Sequence, residues 1–186
     1  MISMPNLIII GGSSRNVGKT SLCLDLISRY APDLEITGLK ISAIKPDDTI
    51  YHGTHALVLN GVNFRIFEEK NAESNKDTAR MLKAGAKRAV YIEALEEHMP
   101  EAFAGFRKIY ETAGPIISES RSLRNLAIPS LFILLKHYNP ALIKPDFHNY
   151  EALVDLTVSI SPGCSTTASL ASRICWDRDH WLLSSE

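Results

Sequence analysis

The sequence predicts an α/β protein in three layers: a mostly parallel β-sheet covered by helices on both faces, with a small β-hairpin inserted at one edge. Three observations predict it. Apolar, strand-like runs alternate with amphipathic helical stretches along the 186 residues and are joined by short polar loops. The first run, Leu7-Ile8-Ile9-Ile10, leads through Gly11 and Gly12 into a Gly/Ser loop and then directly into a helix. Two later strand-like runs close on charged residues, Lys45 and Glu119, at the edge where parallel sheets bind their ligands. With 45% hydrophobic and 22% charged residues, the chain has the composition of one compact soluble domain over residues 1–186.

Taken in order, residues 7–10 read as a buried strand. The helix after the loop starts at Gly18 or Lys19, carries Leu22, Leu26, Ile27 and Tyr30 on one stripe, and is stopped by Pro32. Residues 34–45 alternate, with Leu39, Ile41 and Ala43 on one side, and predict a second strand ending at Lys45-Pro46. In residues 56–67, Asn60-Gly61 separates two strand-like runs and predicts a tight hairpin at the edge of the sheet. Asn75 is placed to cap a helix running to about Ala84, with Gly85 as its left-handed stop. A buried strand follows over residues 88–94. Next comes a helix with Pro100 in its first turn and Ala102, Phe103, Phe106, Ile109 and Tyr110 on its apolar stripe, ended by Gly114. Residues 115–119 form a short strand closed by Glu119, residues 130–136 and 156–161 two more, and residues 165–175 a last helix.

The chemistry concentrates in Gly12-Ser13-Ser14-Arg15-Asn16-Val17-Gly18-Lys19-Thr20-Ser21. Glycines let backbone approach phosphate oxygens, and the free amides of a starting helix attract an anion. Lys19 supplies a mobile cation for the outer phosphates, and the Thr20 hydroxyl completes the shell of a Mg²⁺ ion. Glu119, ending an apolar strand at the same edge, is placed to hold that metal opposite Thr20. Lys45 offers a second cation there, for transferring phosphate charge or for an anionic substrate, and Asp47 a metal- or water-positioning group. His52 and His55 have i, i+3 spacing but no third ligand, and read as polar loop residues. Ser161-Pro162-Gly163-Cys164-Ser165 lacks a lysine and reads as the start of the last helix; Cys164 has no adjacent base.

A formal net charge of −1, from 20 basic and 21 acidic residues, gives no overall field to recruit nucleic acid or an anionic membrane. Three cysteines without C-x-x-C spacing argue against a zinc site or a disulfide framework and for a reducing cytoplasm. No apolar run approaches the ~20 residues of a membrane span, and no charged leader precedes the first strand.

The spacing Gly12-x5-Gly18-Lys19-Thr20 resembles that of one class of P-loop NTPases, which includes dethiobiotin synthetase, the cobyrinic acid amide synthases and the molybdopterin-guanine dinucleotide biosynthesis adaptor proteins. Lys76-Asp77-Thr78-Ala79-Arg80, then Ala84-Gly85-Ala86, is similar to a signature of those adaptors, which singles out Asp77 and Arg80. The likeness covers roughly residues 5–135. It implies a P-loop NTPase fold, Mg²⁺-dependent binding and slow hydrolysis of GTP or ATP, and an adaptor role in molybdenum cofactor biosynthesis. A cofactor guanylyltransferase would be the partner, and two copies would pair across the nucleotide. Lys45-Pro46 is similar to a dipeptide of dethiobiotin synthetase, which implies the alternative of an ATP-dependent ligase or kinase acting on a small carboxylated substrate. The related families place a Glu where Glu119 stands, often followed by glycine; here Ser120-Arg121-Ser122 follows. The guanine-reading pattern Asn-Lys-x-Asp is absent, and Lys136-His137 does not choose the base.

Overall fold

The structure is a computed structural model and describes residues 1–44, 56–110, 114–161 and 166–184. Eight strands form one mixed, mostly parallel sheet: β1 (Ile2–Gly12), β2 (Thr37–Ile44), β3 (Ala56–Gly61), β4 (Phe64–Glu68), β5 (Arg88–Leu95), β6 (Ile116–Glu119), β7 (Ala127–His137) and β8 (Leu156–Ile160). Their order across the sheet is β3-β4-β5-β2-β6-β1-β7-β8. From β5 to β8 every neighbouring pair is parallel, so the carboxyl ends of β1, β2 and β6 share one edge. The β3–β4 hairpin joins antiparallel at the other side of β5, an edge extension as the sequence predicts.

Both sheet faces are covered, and the strand patterns show why. In β1, Leu7 and Ile9 face one core and Ile8 and Ile10 the other, so a continuous apolar run is required rather than alternation. On the first face α3 (Met99–Tyr110) buries Met99, Ala102, Phe103 and Phe106, together with Phe147 and Tyr150 from a 3-10 helix over Pro145–Tyr150. On the second face lie α1 (Lys19–Tyr30), α2 (Asp77–Lys83) and α4 (Thr166–Ser172), with Leu22, Leu26, Ile27, Met81 and Leu170 buried. Among the described residues no helix is long and apolar enough to cross a membrane.

Three local expectations are corrected. The β3–β4 turn falls on Val62-Asn63, with Asn63 at φ 61, and not on Asn60-Gly61; Gly61 instead pairs with Phe64, whose ring occupies the place a β-carbon would take. Helix α2 begins after Lys76 without a side-chain cap, so Asn75 does not cap it, although Gly85 ends it at φ +107 as expected. The last helix stops at Ser172. It gives way to a hairpin, β9 (Ile174–Asp177) and β10 (His180–Leu183), turned by Arg178 and Asp179, both at positive φ. That turn carries no glycine or asparagine to announce it.

The first and seventh strands also run longer than the apolar runs alone suggest. Met4 pairs with Pro129 and Ile8 with Leu131, so β1 advances four residues while β7 advances two, a bulge at prolines that cannot donate to the ladder. The C-terminal hairpin satisfies the groups the bulge leaves open. Trp181, fully buried, donates its indole N–H to the Asn6 carbonyl at 3.1 Å; its backbone N–H reaches the Ser130 hydroxyl, which itself donates to Leu7 O.

Candidate functional site

Residues 13–18 leave β1 at the carboxyl edge and return into α1. Two left-handed residues shape the turn, Asn16 at φ 57 and Gly18 at φ 93, and Gly18 precedes the helix without any side-chain cap. The helix therefore opens with its first amides free of a side-chain cap and facing the loop. At Gly12 a β-carbon would lie 2.6 Å from Val17 and 2.9 Å from the Lys19 stem, so only glycine lets the loop close this tightly. The loop is held from behind: Ser13 N–H donates to Leu135 O, the Ser13 hydroxyl accepts from His137 N–H at 2.8 Å, and Ser13 O accepts from Lys144 N–H. Lys19 folds back over it and donates to Ser14 O at 2.9 Å.

Parallel pairing carries Glu119 to this loop. Strand β6 lies between β1 and β2 and ends beside the start of α1, where the Thr20 hydroxyl donates to Glu119 Oε2 at 2.8 Å. The same register sets Lys40 opposite Glu119, with its Nζ 3.5 Å from Oε1. Lys40 is also paired with Asp77 at the first turn of α2, and Arg80 stands 3.6 Å from the other Asp77 oxygen. Thr20, Lys40, Asp77, Arg80 and Glu119, scattered through the sequence, thus form one connected polar chain beside the loop.

Two cavities meet at this chain. One of about 480 Å³ is lined by the loop and the first turn of α1 together with Lys40, Asp77, Arg80 and Glu119. The other, of about 660 Å³, shares Arg15, Lys19, Lys40 and Glu119 and extends past Arg121 to Lys144 and Tyr150 on one wall and Met99 and Pro100 on the other. In the smaller cavity Arg15, Lys19, Lys40 and Arg80 face only Asp77 and Glu119, an excess of positive charge. Burial lowers the Lys19 pKa from its ordinary value, and repulsion from Lys40 and Lys144 adds to this against the attraction of Glu119. For Lys40 burial also acts downward, but Glu119 and Asp77 outweigh it and the pKa is raised. An anion entering this space relieves the crowding of the lysines.

Hard oxygen donors, the Thr20 hydroxyl and the nearly buried Glu119 carboxylate, face each other as a Mg²⁺ ion requires. Among the described residues no three His, Cys, Asp or Glu side chains gather into a metal cluster. Lys45, Asp47, His52, His55 and Cys164 lie outside the described residues. The cation that the second strand does deliver to Glu119 is Lys40, a residue the sequence reading passed over. Its signal was present: a lysine inside a strand buried on both faces needs a partner.

Arg121 is the other residue that composition and motif did not mark. Its stem packs against Gly11, NH1 donates to Gly12 O at 3.3 Å, and NH2 pairs with Asp146. Its guanidinium lies 5.0 Å from the centre of the Tyr150 ring. The step after Glu119 is thus a 3-10 turn (Ser122–Asn125) that Arg121 ties to the loop and to the Pro145–Tyr150 helix. Comparison with family models, with curated proteins and with solved structures finds no match for the chain.

Proposed function

We propose that the chain is a P-loop NTPase that binds a purine nucleoside triphosphate with Mg²⁺, hydrolyses it slowly, and acts as an adaptor in molybdenum cofactor biosynthesis. The observation that carries the nucleotide reading is the convergence of Lys19, Thr20, Lys40 and Glu119 at the opening of α1, on the carboxyl edge of a parallel sheet. The loop from Gly12 to Ser21 wraps the phosphates with backbone amides. Lys19 exchanges its bond to Ser14 O for the outer phosphates, and Lys40 supplies further positive charge beside Glu119. Thr20 and Glu119 would hold the metal, which would supply positive charge to the phosphates during transfer. Phosphoryl transfer depends on positioning and on charge supplied to the transition state, and turnover below about 1 s⁻¹ is expected without a partner to supply more of either.

The adaptor role rests on the likeness of residues 76–86 to the adaptor signature, and the position of Asp77 and Arg80 beside the loop supports a working part for that stretch. One observation favours the second reading, a ligase or kinase of a small carboxylated substrate: the larger cavity opens on the far side of Lys19 and Glu119.

Thermal melts with ATP or GTP and Mg²⁺ test the nucleotide reading. At ligand a hundredfold above its dissociation constant, binding adds about 2.7 kcal/mol, a rise of roughly 5–10 °C in a chain of this size. Lys19→Ala should remove most of it, and the absence of any shift in the wild type refutes the proposal. Turnover measured with diaminopelargonic acid and bicarbonate, then with a molybdenum cofactor guanylyltransferase, separates the two roles: fast consumption with the small substrates overturns the adaptor.

A further inference from the structure

We propose that the larger cavity is the chamber of the attacking water, and that the Ser120 hydroxyl, steadied by Ser122, positions that water against the outer phosphate. The inference rests on the nucleotide reading and deepens it, by naming the nucleophile and the side from which it comes. The two cavities divide the loop between them. The smaller one is lined by its end, Asn16, Gly18, Thr20 and Ser21, and the larger one by its beginning, Gly12 and Ser14; Lys19 and Glu119 stand where the two meet. Phosphates laid along the opening of α1, with the outermost at Lys19, therefore turn that last phosphorus toward the larger cavity. In-line displacement needs the attacking oxygen opposite the leaving one, and the larger cavity is that side.

The walls suit a water-filled space, since Ser14, Ser42, Ser120, Ser122 and Asn125 all line it. Most of these groups are already engaged. The Ser14 hydroxyl donates to Arg15 O, Asn125 donates to the Tyr150 hydroxyl, and Ser42 is bonded to Tyr91. Ser120 and Ser122 differ: their hydroxyl oxygens lie 3.2 Å apart and, among the described residues, bond to each other. A hydroxyl donates one proton and accepts at two lone pairs, so such a pair keeps a proton and several lone pairs for a water. Ser120 is nearly buried and follows directly on Glu119, which brings it to the junction of the cavities. The backbone that carries the pair is fixed: Arg121, between the two serines, is bonded to Gly12 O and paired with Asp146, and Leu123 is fully buried. A neutral hydroxyl orients the water rather than deprotonating it. The water oxygen bonds to phosphorus as the bond from phosphorus to the bridging oxygen breaks; that electron pair leaves with the nucleoside diphosphate, and both protons of the water leave on the inorganic phosphate.

Single-turnover hydrolysis of ATP and GTP with Mg²⁺, measured beside the affinity for a non-hydrolysable analogue of each, tests the assignment, with Lys19→Ala as the blank. Ser120→Ala should slow the chemical step roughly tenfold to a hundredfold while affinity for the analogue and Tm stay close to wild type. Ser120→Thr keeps the hydroxyl and has the cavity to receive its methyl, so it should recover most of the rate. Ser122→Ala, at a half-buried position, should lose less than Ser120→Ala, and it carries the test if Ser120→Ala does not fold. Equal rates in wild type and the alanine variants, a loss that follows the affinity, or a Ser120→Thr protein no faster than Ser120→Ala overturns the inference. So does a wild type that binds the analogues and hydrolyses nothing; in each of these cases nucleotide binding itself stands. A wild type that binds no nucleotide removes the nucleotide reading and this assignment with it.

Discussion

Replacing Lys40 by methionine keeps the length of the side chain and removes its charge, and the structure sets the size of the effect. Glu119 is 7% exposed and has two partners, the Thr20 hydroxyl and the Lys40 ammonium. Removing one member of a buried pair costs about 3–5 kcal/mol, because the other charge stays buried. Lys40 is 24% exposed and Glu119 keeps Thr20, so about 2–3 kcal/mol is expected. That corresponds to a fall in Tm of roughly 5–10 °C for a chain of this size. Glu119→Gln should cost less, about 1 kcal/mol, since the amide still accepts from Thr20 and Lys40 retains Asp77. The double variant should then be more stable than the sum of the single losses by at least about 1 kcal/mol. Urea denaturation of the four proteins measures this. The sign with pH is also set: the raised Lys40 pKa means its contribution is fully present below 10.5 and is lost as pH climbs above that value through the folded one. A Lys40→Met protein within about 0.5 kcal/mol of wild type, or strict additivity in the double variant, would refute the coupling.

Two further outcomes are expected. The lowered Lys19 pKa means that the free protein gains stability as pH rises from the folded value towards 10.5, whereas phosphate binding demands the charged amine. Nucleotide binding should therefore take up protons in the alkaline range and weaken with rising pH; calorimetry in buffers of different ionisation enthalpy reads the uptake, and proton release would contradict the assignment. Trp181→Ala should lose about 3–5 kcal/mol, and Trp181→Phe about 1–2, because the ring volume is mostly kept while the bond to Asn6 O is lost. Circular dichroism in urea measures both, and a neutral Trp181→Phe would show that packing alone holds the hairpin.

What the sequence by itself determined is contiguous. The strand, loop and helix from Leu7 to Tyr30 are legible because an apolar run, two glycines, Gly18 and a helical stripe succeed one another within a few turns of chain, and each follows local rules of dihedral space and burial. The same holds for β5, α3, β6 and the Gly85 stop, and for Glu119 as an acid at the end of a short apolar strand. Tertiary structure alone decided what pairs with these residues. Lys40 meets Glu119 only because β6 inserts between β1 and β2, and a register is a property of two strands, not of either one. Arg121 and Lys144 gain their places from the 3-10 helix that folds back under the loop, and Trp181 from a bulge between β1 and β7 that leaves carbonyls and a hydroxyl to be satisfied. Such partners are chosen by the backbone groups and charges that folding would otherwise bury unpaired, and a sequence read in order does not reveal which distant segment supplies them.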